Sequence, residues 1–167
     1  MLFFYMAQLI LSIGTNLGNK RQNLLDAIQL IESEVGSCIR ISPFYKSEPW
    51  GFDSDNSFLN GIVVVTTDLK PMEVLDITQG IERQLGRKAK SINGYADRLI
   101  DIDIVDYDRQ NVESERLTLP HRLMNERNFV LKPLCDVLPD WEHPLLKKTA
   151  LELLAESPDE SILETEL

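Results

Sequence analysis

Apolar positions along the chain change period several times, and each change marks an element. Residues 7–13 (AQLILSI) form an apolar run of strand length, followed by the turn-rich GTNLGNK, Gly14 to Lys20. Asn19 is placed to cap a helix whose stripe is Leu24, Ile28, Ile31 and Val35, and Gly36 supplies its stop. A strand from about Ile39 to Lys46 comes next, then a polar and aromatic stretch from Ser47 to Gly61, then a buried, β-branched strand within FLNGIVVVTTDL. Pro71 suits the first turn of a second helix with the stripe Val74, Ile77, Ile81 and Leu85, and Gly86 ends it. After an irregular segment, Gly86 to Arg98, the run DRLIDIDIV from Asp97 to Val105 alternates with the period of a strand. From Lys132 the chain reads as helix, a turn spans Pro139 to Pro144, and another helix lies near Lys147 to Glu156.

The order strand, helix, strand, strand, helix, strand, helices predicts an α+β domain of the ferredoxin-like βαββαβ kind. Its antiparallel sheet would carry flanking helices and a helical C-terminal extension. The 167 residues, 43% hydrophobic and 26% charged, fit one domain with a full core. Residues 1–6 read as an extension before the first strand, and the acidic end, 157–167, is expected to fray. The opening MLFFYMAQLILSIG lacks a basic region and a cleavage site, and Gln8 breaks its apolar run well short of the roughly 20 residues a membrane span needs. Cys38 and Cys135 stand far apart in no motif, which predicts inert thiols in a reducing, cytoplasmic compartment rather than a disulfide or a zinc site. The formal charge of -10 argues against general nucleic-acid binding. A polyanionic ligand must therefore meet a local basic cluster or metal ions, and Arg87, Lys88, Lys90 and Arg98 supply such a cluster in one segment.

The alternating strand carries the strongest chemical signal. Leu99, Asp101 and Asp103 share one face and Ile100, Ile102 and Ile104 the other, so two carboxylates stand about 6.6 Å apart along the backbone. Hard oxygen donors at that spacing suit magnesium. Taken alone, the pattern also describes a half-solvated strand, but two like charges on one face repel and Asp is a poor strand former. Trp50, Phe52 and Phe58 near Asn60 make either a cradle for a flat heterocycle or a plug for the sheet edge. Glu82 beside Gln79 on the flank of the second helix is ordinarily a solvated residue. His121 directly after Pro120, with Arg127 and Phe129 beyond it, is structural alone and suggestive of phosphoryl chemistry beside the carboxylates. Gly14 and Gly18 before Asn19-Lys20 fall short of a phosphate-binding loop, because the GK[ST] ending is missing.

GTNLGNK, FYKSEPWG, FLN, IERQLGR, DRLIDIDI, LTLPH and RNF, in this order and over nearly the whole chain, resemble the 6-hydroxymethyl-7,8-dihydropterin pyrophosphokinases of folate biosynthesis. The resemblance implies transfer of the pyrophosphoryl group of ATP to the pterin hydroxymethyl oxygen, with AMP as the second product. It implies Asp101 and Asp103 as ligands of two Mg2+ ions, and Arg87 and Arg98 as braces of the triphosphate. His121 and Arg127 would be further phosphate contacts, with Glu82, Arg116, Leu117 and Thr118 near the nucleotide. For the pterin it implies Phe58 and Phe129 as sandwiching aromatics, Asn60 as the hydrogen-bonding amide, and Ser47, Glu48 and Trp50 as the loop that reads the ring edge. ATP and hydroxymethyldihydropterin would be its small-molecule partners, with no nucleic acid and no membrane, and a monomer is expected.

Two departures stand in the basic segment. Tyr95-Ala96-Asp97 replaces the Trp-Gly-Pro frequent in the family, and Ala89 stands where a second arginine is common. Asp97 beside Arg98 is expected either to weaken that arginine's grip on phosphate or to bind it in the open state. Two other classes use parts of the same pattern. A binding module on this fold would need no carboxylate pair, and a metal-dependent nuclease would need a basic track that the net charge opposes.

Overall fold

The computed structural model describes residues 4–86 and 97–166; Arg87, Lys88, Ala89, Lys90, Tyr95 and Ala96 lie outside the described residues. The elements are β1 (Ala7–Thr15), α1 (Lys20–Glu34), β2 (Ser37–Ile41), β3 (Tyr45–Ser47), β4 (Phe58–Thr67), α2 (Pro71–Gln84) and β5 (Asp101–Tyr107). They continue with β6 (Val112–Glu113), β7 (Thr118–Leu119), α3 (Asn128–Val137), α4 (Ala150–Glu156) and β8 (Glu164–Thr165). Six strands form one sheet in the order β5-β1-β4-β3-β8, with β2 also paired to β4, and β6-β7 is a separate hairpin. All pairings are antiparallel, so the architecture is mixed α+β. Among the described residues no helix is long and apolar enough to cross a membrane.

The strand period divides the interior into two cores. Leu9, Leu11 and Ile13 of β1 point to one face with Val63 and Val65 of β4 and Ile102 and Ile104 of β5. There they pack against Leu24 and Ile31 of α1 and Val74 and Ile81 of α2. Ile10, Ile62, Val64 and Val105 point the other way, onto Val130, Leu131 and Leu134 of α3 and Leu153 of α4. Burying both faces is why the central strands are apolar on both sides away from the site.

The helix signals act as the sequence suggests. Asn19 accepts a hydrogen bond from the Gln22 backbone N–H, and Pro71 occupies the first turn of α2. At Gly36 the chain passes so close to β4 that a Cβ would lie 2.1 Å from the Thr66 carbonyl oxygen. Both cysteines are free, and burial pushes the Cys38 and Cys135 thiols up to about 12 and about 11. At those values both stay protonated and unreactive.

Several boundaries differ from the sequence expectation. The strand expected over 39–46 is two strands, because Pro43 cannot donate to a ladder and the chain steps from β2 to β3 at Ser42 to Phe44. Ordered β5 begins at Asp101 rather than Asp97. α3 starts at Asn128, four residues before Lys132, with Pro133 inside it. The tail does not fray throughout: Glu164 and Thr165 pair with Lys46 and Tyr45 of β3, and Asp159 accepts from the Asn128 N–H at 2.7 Å. Before β1, Phe4 and Tyr5 are exposed, and the Tyr5 hydroxyl donates to Asp108.

One buried carboxylate follows from a bulge. In β5 the register passes from Ile104 opposite Leu11 to Asp106 opposite Ile10, leaving Val105 as the extra residue. Asp106 is thereby turned into the α3–α4 side, where its Oδ2 accepts from Trp141 Nε1 at 3.2 Å and Arg109 N at 3.0 Å. Its Oδ1 has no hydrogen-bond partner among the described residues. Burial pushes the Asp106 carboxyl up to about 6, against the opposing pull of those two donors.

The folded chain therefore holds this proton more tightly than the unfolded chain, whose carboxyl titrates near 3.8. The stability it contributes is complete below about pH 4 and is lost as pH rises past about 6. Asp106→Asn keeps an acceptor for Trp141 and Arg109 and removes the titration. It should be more stable than the parent by up to about 3 kcal/mol at pH 8, with the difference vanishing near pH 4. Urea midpoints across that range check this, and a constant difference at all pH values would refute it.

Candidate active site

The site begins as a row across three strands. Gly14 of β1 lies opposite Asn60 of β4 on one side and Asp101 of β5 on the other, and Ser12 lies opposite Asp103. Cross-strand partners share a face, so these positions form one floor on the sheet face that also carries the α3–α4 core. With neighbouring strands about 4.8 Å apart, the Asp101 and Asn60 backbones stand roughly 10 Å from one another across Gly14. Gly14 adds no side chain between them. A Cβ there would lie 2.7 Å from Asn60 Oδ1, so the amide fills the space that the glycine leaves.

Over this floor opens a cavity of about 580 Å³. From β3, β4 and their connection come Ser47, Glu48, Trp50, Phe58 and Asn60, and α3 adds Phe129. From α2, β5 and its approach come Glu82, Arg98, Asp101 and Asp103. The β6–β7 hairpin and the turn after it contribute Arg116, Leu117, Thr118, His121 and Arg127. Every described residue expected to meet the metal, the nucleotide or the pterin thus lines this one cavity, while Arg87, Lys88 and Lys90 lie outside the described residues.

At the aromatic end, Asn60 Nδ2 donates to Ser47 Oγ at 2.7 Å, and Phe52 meets Phe58 edge to face with centroids 6.0 Å apart. The aromatics at 50, 52 and 58 thus face a cavity. Arg127, 8% exposed, holds its guanidinium 4.5 Å from the Trp50 ring centroid and 5.7 Å from that of Phe129. Its cation–π contacts therefore lie at the aromatic end, rather than among the residues expected to surround phosphate.

At the charged end, Arg98 Nη1 donates to Asp101 Oδ2 at 2.9 Å, with both side chains largely shielded from solvent. Asp97 instead accepts from Asn16, Ser54 and Asn56. Glu82 is 3% exposed and accepts from the Ile102 N–H at 3.4 Å, so it is a buried wall residue and not a solvated helix flank. The β6–β7 hairpin presents Arg116, which pairs with exposed Asp76 at 2.6 Å. The His121 N–H donates to the Val105 carbonyl, and His121 Nδ1 accepts from Leu123 N at 3.3 Å. Nε2 is then the ring nitrogen placed to donate elsewhere.

The floor residues Ser12 and Gly14 and the wall residue Arg122 escaped sequence reasoning, whereas Phe52 lines the cavity beside Trp50 and Phe58. Gly14 reads as a turn residue, and only its register in β1 shows otherwise. Arg122 follows a histidine in a turn, and nothing in its local pattern marks it. The donor chemistry of the carboxylates suits magnesium. Among the described residues no group of three or more His, Cys, Asp or Glu side chains is placed to hold a metal ion. Asp101 and Asp103 would therefore need ligand and water oxygens to complete a coordination shell, the usual arrangement where magnesium meets a phosphate substrate.

Residues 10–139 match the family model described as 7,8-dihydro-6-hydroxymethylpterin-pyrophosphokinase. The chain is 48% identical over 141 residues to the 2-amino-4-hydroxy-6-hydroxymethyldihydropteridine pyrophosphokinase of Porphyromonas gingivalis, covering 83% of this chain and 95% of that one. It is 35% identical over 133 residues to the enzyme of the same name from Bacillus subtilis, covering 79% and 78%. In fold it resembles the crystal structure of wild-type HPPK-DHPS from Plasmodium falciparum, with a TM-score of 0.73 at 17% identity, over 91% of this chain and 43% of that longer one. With the family model spanning most of its length and the cavity lined as described, the chain belongs to the 7,8-dihydro-6-hydroxymethylpterin-pyrophosphokinase family.

Proposed function

We propose that this protein transfers the pyrophosphoryl group of ATP to 6-hydroxymethyl-7,8-dihydropterin, giving the pterin diphosphate and AMP, in folate biosynthesis. Family membership carries the activity, and the floor running from Asp101 past Gly14 to Asn60 carries the assignment of its two ends. The strand order supports reading the architecture as ferredoxin-like, with β2 and β3 together standing for the second strand of βαββαβ.

In this reading the pterin lies at the aromatic end, against the rings of Phe58 and Phe129. Asn60, steadied by Ser47, turns Oδ1 toward the ring amine hydrogens, and Glu48 and Trp50 border its edge. ATP lies at the other end, with Arg98, Arg116 and His121 on its phosphates, Leu117 and Thr118 along the nucleotide, and Glu82 in the wall behind. Arg127, stacked at the aromatic end, reaches phosphate by leaving Trp50. Arg87 joins Arg98 in bracing the triphosphate.

Asp101 and Asp103 would hold two magnesium ions, which when bound neutralise charge on the phosphate oxygens. Phosphoryl transfer asks mainly for alignment and charge neutralisation, so the chain's task is to hold the hydroxymethyl oxygen in line with the β-phosphorus. With a cation held at Asp101, Arg98 would exchange that carboxylate for phosphate, and the Arg116–Asp76 pair, exposed to solvent, opens at little cost.

Incubating the protein with MgATP should yield AMP only when hydroxymethyldihydropterin is present, and AMP formation indifferent to the pterin would refute the assignment. Asp101→Asn and Asp103→Asn should each lower turnover by at least about a hundredfold, with melting followed as a control for folding. Intact activity in either would remove that residue from the metal site.

A shared shell makes a second prediction. Mn2+ titrated into the protein alone should bind weakly, and a nonhydrolysable ATP analogue should tighten that binding by at least about tenfold, read by the electron paramagnetic resonance of free Mn2+. Equal affinity with and without the analogue would mean that the protein builds a complete metal site by itself.

A further inference from the structure

Asp97 has no place in the machinery assigned above, yet its carboxylate is where three segments meet. Oδ1 accepts from Asn16 Nδ2 at 2.6 Å and from Ser54 Oγ at 2.5 Å, and Oδ2 accepts from Asn56 Nδ2 at 3.1 Å. Asn16 belongs to the turn between β1 and α1, and it is tied twice more to the neighbour of Asp97. Its N–H donates to the Arg98 carbonyl at 3.1 Å, and its Oδ1 accepts from the Arg98 N–H at 2.7 Å. Ser54 and Asn56 belong to the connection between β3 and β4, residues 48–57, which carries Glu48, Trp50 and Phe52 to the cavity. The far end of that connection is held by Lys20, whose Nζ donates to the Ser57 carbonyl at 2.7 Å.

The chemistry of this junction is specific to a carboxylate. All three side-chain partners donate, which suits an ionised acid and leaves no place for a side-chain amide hydrogen. The Ser54 hydroxyl first, then Asn16, Asn56 and the charge of Arg98, hold the Asp97 carboxyl below its usual range. A negative charge next to an arginine meant for a triphosphate is otherwise a liability, since it repels the substrate. Spending its oxygens on two loops gives that charge a use.

We propose that Asp97 is a positioning residue that pins the aromatic connection, residues 48–57, to the segment leading into β5, so that the pterin end of the cavity is formed before the pterin arrives. A pinned connection has less conformational freedom to lose on binding, so the gain appears as affinity for the ring and not as speed of transfer. The inference deepens the pyrophosphokinase reading and rests on it for its kinetic part. Its structural part stands separately.

Asp97→Ala removes all three bonds, Ser54→Ala removes one, and Asp97→Asn sets an amide hydrogen against a donor. Asp97 is exposed, so none of these should shift the melting midpoint appreciably. The chain has two tryptophans, and Trp141 is buried in the α3–α4 core, so iodide quenching of fluorescence in the free protein reports Trp50. Asp97→Ala should raise the quenching constant about twofold or more and the KM for the pterin about tenfold, with kcat and the KM for ATP within about twofold of the parent. Ser54→Ala should fall between. Unchanged quenching in Asp97→Ala overturns the pin whatever the enzyme does, and an equal rise in both KM values overturns it in favour of a role through Arg98. If the parent protein makes no AMP, the functional reading fails while the quenching test still decides the pin.

Discussion

The structure depends on one close approach, that of Asn60 to the bare backbone of Gly14. An interior strand position costs stability when it is glycine, about 0.5–1 kcal/mol relative to alanine. At Gly14 the missing side chain is replaced by the Asn60 amide, whose Oδ1 lies 2.7 Å from where a Cβ would stand. The amide then reaches Ser47 on the next strand, so three strands share one contact. On its other side Gly14 borders Asp101, and the sheet offers a level path from an amide to a carboxylate. A reaction that joins a flat ring to a polyphosphate needs such a path, because reacting atoms must meet between two differently lined ends.

The rest of the fold protects this floor. The same alternation that sends Asp101 and Asp103 into the cavity sends Ile102 and Ile104 under α1 and α2, so the carboxylates stand on a strand whose other face is fixed in a core. The Val105 bulge ends that alternation and buries Asp106 against Trp141. Three acidic residues within six positions of one strand thus have different tasks. Two face the cavity, and the third is buried in the core, where it titrates in place of contributing to the site.

Periodicity made much of this legible. The stripes through Leu24 and Ile31 and through Val74 and Ile81 mark helices that do pack as expected, and the Ile/Asp alternation of β5 separates core from cavity as read. What escaped depends on contacts distant in sequence. β8 forms because β3 offers an edge more than a hundred residues away. Glu82 looks like a solvated flank until β5 covers it, and Gly14 looks like a turn until its register with Asn60 is known. Pro43 was a local signal for the break between β2 and β3, and Pro133 disguised the true start of α3 by appearing where a helix interior is normally closed to it. The family motifs identified most of the cavity lining, but they carried no expectation for Phe52, for Arg122, or for the stacking of Arg127 on Trp50.

The separation of a ring end from a phosphate end depends on the floor between them. Gly14→Ala, assayed for steady-state kinetics in both substrates, tests it most directly, since the added methyl displaces the Asn60 amide and leaves the carboxylates on β5 untouched. The KM for the pterin should rise by about tenfold or more while the KM for ATP stays within about twofold, as expected when one buried hydrogen-bonding group loses its place. A matching rise in both, or none in the pterin, would contradict the division of the cavity into a ring end and a phosphate end.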